Sequence, residues 1–200
     1  YYTHANIVFD FYSKKITHTQ VIQRVSDILD YPNILNQKYF TYVEVLILCF
    51  LLTVFSGKQQ DLLLSRLNKL FSDSENIIAG DNNYYIYTLI LMRLARTYGI
   101  KNDYPQVIYF CDLGIERGIE SKQYYLWDYF YYYKSLAHYA LGQKEDFDTA
   151  LLRCFNVLFM EGNHAKIEKF TALIEKDYNI DYKEYIINLL KPKNPTSERQ

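Results

Sequence analysis

The chain has 200 residues, half of them apolar, enough for one domain with a sizeable core or for two small ones. Its 22 basic and 23 acidic residues nearly cancel, which speaks against a surface that wraps nucleic acid, because that needs clustered Lys and Arg. The three cysteines, Cys49, Cys111 and Cys154, are widely spaced and form no CxxC pair. Neither a disulfide framework nor a metal site is therefore expected, and a reducing, cytoplasmic setting is.

Only seven glycines and four prolines punctuate the chain, which favours long helices over many short strands. Apolar residues recurring at three and four predict helices over residues 2–13, 17–30, 37–56, 59–72, 82–99, 103–118, 122–141, 145–161, 164–178 and 181–190. Thr17 and Asp181 stand where N-caps belong, and Gly57, Gly118, Gly142 and Gly162 where helices can end. The longest apolar run, VLILCFLLTVF from Val45 to Phe55, is about half the ~20 residues of a membrane span and reads as a buried helix. DSEN, starting at Asp73, reads as a helix-ending loop. The polar end KPKNPTSERQ, with two prolines, reads as a disordered tail over 191–200.

Chemistry-bearing motifs are missing. His4, His18, His138 and His164 are scattered, with no HExxH, GxSxG, P-loop or GxGxxG. No enzyme activity and no cofactor are expected.

The segment LARTYGIKNDYPQVIYFCDLG places Leu94, Ala95, Tyr98, Tyr104 and Val107 at the spacing of a tetratricopeptide repeat, with Gly114 at a later small-residue position. A second unit starts 42 residues on with Leu136, Ala137 and Ala140, continuing to Phe147 and Ala150. Fainter units lie near Leu51, Leu52 and Phe55, within 2–30 and within 164–190. The spacing exceeds the usual 34 residues, so the chain resembles a divergent tetratricopeptide array. The expected fold is all-α. The resemblance implies a right-handed superhelix of about five helical hairpins with a concave inner wall.

On a helical wheel Tyr133, Leu136, Ala137 and Ala140 cover the packing side of the seventh helix, and Trp127, Tyr131, Lys134 and His138 fall on the other side. In tetratricopeptide arrays that second side is the concave wall. Carrying the register back aligns Trp127 with Tyr85 and Tyr42, Tyr131 with Leu89, Lys134 with Met92, and His138 with Arg96, while Asn6 and Asp10 take comparable places in the first unit. These eleven residues form the expected binding rail. Aromatic faces give contact area at low rotamer cost, and polar groups can fix an extended peptide backbone.

Taken with NHAKIEKFTALIEKDYNID near the end, these segments resemble the peptide-sensing half of Gram-positive quorum-sensing regulators, the PlcR, PrgX, Rgg and Rap group. The resemblance spans most of residues 2–190. It implies binding of a short signalling peptide in the groove, a homodimer, and a transcriptional role through an N-terminal helix-turn-helix. That DNA-binding domain is absent before Tyr1, and is expected in the full-length protein. Alternatives are a general protein-interaction scaffold or a Rap-like phosphorelay regulator. The latter ranks lower because residues 1–30 do not read as the helical bundle it requires.

Overall fold

The computed structural model describes residues 2–72, 77–78 and 83–191. Among them are ten α-helices: α1 (Tyr2–Tyr12), α2 (His18–Leu29), α3 (Tyr42–Leu51), α4 (Gly57–Ser72), α5 (Tyr84–Ile100), α6 (Tyr104–Ser121), α7 (Trp127–Ala140), α8 (Lys144–Glu161), α9 (His164–Tyr178) and α10 (Tyr182–Leu190). The all-α expectation holds. DSEN and residues 192–200 lie outside the described residues.

Local chemistry sets where the helices begin. Thr17 and Gln20 form a reciprocal capping box on α2, and Asp181 accepts from the Glu184 amide on α10, as the sequence suggested. Asp103 and Asn163 cap α6 and α9 in the same way. Each such cap contributes about 1 kcal/mol by satisfying an amide that the helix leaves open. Gly142 and Gly162 adopt positive φ at the expected helix ends.

Several expected boundaries are corrected. The third helix starts at Tyr42 rather than residue 37, because Thr41 and Glu44 form a capping box there. Ahead of it, Arg66 donates to the carbonyls of Leu35 (2.9 Å) and Gln37 (2.7 Å), which holds the chain in a loop. Phe40–Thr41 (β1) then pairs in parallel with Ile77–Ile78 (β2), Phe40 opposite Ile77. At its other end α3 gives way to a turn after Leu51 rather than running to residue 56. Gly57 opens α4 rather than ending a helix, and Gly118 ends none. Gly118 lies inside α6, which runs on to Ser121 before Lys122 turns left-handed.

Consecutive helices pair into five hairpins, α1–α2, α3–α4, α5–α6, α7–α8 and α9–α10. The odd-numbered helices also touch one another in series. His4 of α1 meets Phe50 of α3, α3 packs on α5, α5 on α7, and Tyr129 of α7 meets Phe170 of α9. The odd helices thus share a layer. The first seven residues of the apolar run, Val45 to Leu51, lie in α3 and are all buried, while the turn that follows leaves Thr53 exposed. Each such Leu or Ile stabilises the fold by about 1.5–3 kcal/mol. No helix among the described residues is long and apolar enough to cross a membrane.

Candidate functional site

The middle helix of the odd layer has one open stripe. Tyr85, Leu89, Met92 and Arg96, spaced four, three and four apart, are exposed or half-buried, while Leu91, Leu94, Ala95 and Tyr98 on the other side are buried. The same spacing recurs on α7 at Tyr129, Tyr133, Leu136 and Ala140, all half-buried or exposed. Between the two helices lies a cleft of about 500 Å³, entered past Arg96 and Ile100 on one side and Tyr133, Leu136 and Ala140 on the other. Burial pushes the Tyr133 phenol up to about 12, against the pull of the Arg96 charge nearby.

A second hollow of about 380 Å³ opens on the same helix, nearer its start. Ala5, Phe9 and Tyr12 of α1 face Leu89 and Arg93 of α5 across Leu46. Arg93 donates to the Leu46 carbonyl (3.1 Å) and lies over the Phe50 ring. His4 is buried here, edge-on to Phe50. Burial, aided by the Arg93 charge, lowers its pKa to about 4 and keeps the imidazole neutral near pH 7. Leu89, Arg93, Arg96 and Ile100 recur at four, three and four, so one face of α5 serves both hollows.

The expected rail residues fall into separate places. Leu89 and Arg96 line the two hollows, and half-buried Met92 lies between them on the same stripe. Tyr85 is exposed, its ring edge-on to Tyr125 at 5.1 Å. Tyr42 sits in the α3–α5 seam against Tyr87. Asn6 is exposed and lines neither hollow, and Asp10 turns to Arg24 of α2 (3.4 Å).

Trp127, Tyr131, Lys134 and His138 face away from the α5–α7 cleft. Trp127 packs over Gly118 of α6, and Lys134 is ion-paired with Asp112 of α6. Tyr131 is buried beneath Arg153 of α8, and His138 Nδ1 lies 2.7 Å from Gln143 Oε1. Tyr131, Lys134 and His138 share a small slot of about 170 Å³ with Asp146 and Arg153. The side of α7 expected to pack, Tyr133, Leu136, Ala137 and Ala140, instead lines the larger cleft. The register assumed from the sequence is therefore displaced: Tyr133, Leu136 and Ala140 face the cleft, and Trp127, Tyr131, Lys134 and His138 do not. The signal that marks the right stripe is the repeated four-three-four spacing.

A second polar group ties the last hairpin to α7. Asp128, only 1% exposed, lies 3.1 Å from Lys166 Nζ of α9, which also donates to Glu161 of α8 (2.7 Å). Ser135 and Tyr178 share a hydrogen bond of 2.8 Å, and Tyr132 donates to Asp177. All three cysteines are buried, and burial raises each thiol, Cys49 to about 12. Among the described residues no group of three or more His, Cys, Asp or Glu is placed to hold a metal ion.

No family model matches the chain, and no curated protein or solved structure is significantly similar to it.

Proposed function

We propose that the odd-helix layer binds one short peptide in extended form, lying along α5 from the Phe9–Leu89 hollow to the Arg96–Leu136 cleft. The observation that carries this reading is the single α5 face that opens onto both hollows. At about 1.5 Å of rise per residue, Leu89 to Ile100 spans roughly 16 Å, the length of about five residues of extended chain. Cavities of about 300–1,000 Å³ with mainly apolar walls and few polar groups are the size and character of ligand sites. The resemblance to peptide-sensing arrays also supports reading peptide capture as the sensing step of a regulator.

The test is a substitution on the stripe. Leu136→Glu puts a charge in the cleft without touching a buried neighbour's hydrogen bond, and it weakens peptide binding by about tenfold or more. Lys134→Ala, on the far side of α7, leaves affinity within about twofold of the wild type. Fluorescence anisotropy with dye-labelled octapeptide pools reads both. Equal affinity in wild type and Leu136→Glu, with binding lost in Lys134→Ala, rejects the proposed face. Recovery of a stable protein partner from cells, with no peptide binding, favours the scaffold alternative.

A further inference from the structure

We infer that the α5–α7 cleft receives the C-terminal residue of the bound peptide, its apolar side chain filling the cleft and its free α-carboxylate meeting Arg96. The inference rests on the peptide reading above. The cleft walls are mainly apolar: Ile100 of α5, Val107 of α6, Leu136 and Ala140 of α7, and the rings of Tyr104, Tyr133 and Tyr139. Arg96 is the one charged residue among the described residues that line it.

Neighbouring cations are already engaged. Lys134 is paired with Asp112, Lys101 with Asp61, and Arg93 with the Leu46 carbonyl. Arg96 is exposed and makes no hydrogen bond or ion pair with any described residue. A guanidinium offers a planar fork of donors that a carboxylate matches with two hydrogen bonds. The ligand that satisfies this site carries an anion and an apolar group close together. A C-terminal Leu or Phe holds both on one Cα. An internal Asp or Glu supplies the anion but leaves the apolar cleft unfilled.

The experiment uses the 200-residue chain and dye-labelled octapeptide pools ending in Leu or Phe, each made as the free acid and as the C-terminal amide. Sodium decanoate serves as a separate probe. Free acids are expected to bind about tenfold more tightly than amides, the effect of losing a charge-assisted contact. In Arg96→Gln that ratio falls to about one, and Arg96→Lys restores part of it. Acids and amides binding alike, or an undiminished ratio in Arg96→Gln, overturns the anchor while the peptide reading stands. Pools that fail in both forms overturn both readings. Decanoate binding in the absence of any peptide binding assigns the cleft to a fatty acid and also overturns both.

Discussion

Gly114→Ala destabilises the fold by about 1–3 kcal/mol, read as a lower urea midpoint at unchanged slope. A Cβ on Gly114 would sit 2.5 Å from Cε2 of Phe130 and closer still to its Cζ. Phe130 is fully buried on α7, so its ring has no open space to move into. The contact sets a glycine of α6 against a large ring of α7. Phe130→Leu alone removes ring volume from a packed site and is itself costly. In the Gly114→Ala background it relieves the clash, so the double variant is more stable than the sum of the two single losses. Strict additivity of the two changes would show that the ring and the glycine are not in contact. The same test applies one turn on, where a Cβ at Gly118 would meet the Gln123 carbonyl at 2.7 Å and the Trp127 indole.

Lys166→Met is expected to cost about 3–5 kcal/mol, because it leaves the Asp128 carboxylate buried without its counter-charge. Asp128 is 1% exposed and Lys166 23%, so solvent screens the pair little. Burial already holds the Asp128 carboxyl above its ordinary value, with Lys166 pulling the other way. Removing Lys166 lifts that pKa further. A group whose folded pKa exceeds its unfolded value loses stability as pH rises through the window between them. The loss in Lys166→Met is therefore smaller at about pH 4 than at about pH 7. Lys166→Met with Asp128→Leu, which removes both charges, recovers most of the loss. A loss under about 1 kcal/mol at neutral pH, the range of exposed pairs, would mean that the seam between the last two hairpins is open to water.

The hairpin count was legible because glycines, capping residues and apolar spacing of three and four punctuate the chain clearly. Thr17, Asp181, Gly142 and Gly162 act as their residue types suggest. The register of the binding stripe was not legible on α7. Tyr129, Tyr131, Tyr132 and Tyr133 surround that helix, so ring content marks no side. Tyr131 and Tyr132 are buried against other helices, while Tyr129 and Tyr133 remain half-open. Two left-handed residues between α6 and α7, Lys122 and Leu126, also set the start of α7 in a way that no propensity announces. Nothing in the sequence marks Asp128 as a buried acid. Its partner lies on another hairpin, 38 residues along the chain, and only tertiary packing brings them together.

The most direct test of the peptide face is site-specific photocrosslinking to the bound octapeptide pools. A benzophenone side chain placed at Leu89, Leu136 or Lys134 reports which surface the peptide touches. Adducts from positions 89 and 136, with none from 134, are the expected result. Adducts from 134 alone would contradict the account and return the site to the α6–α8 side of the seventh helix.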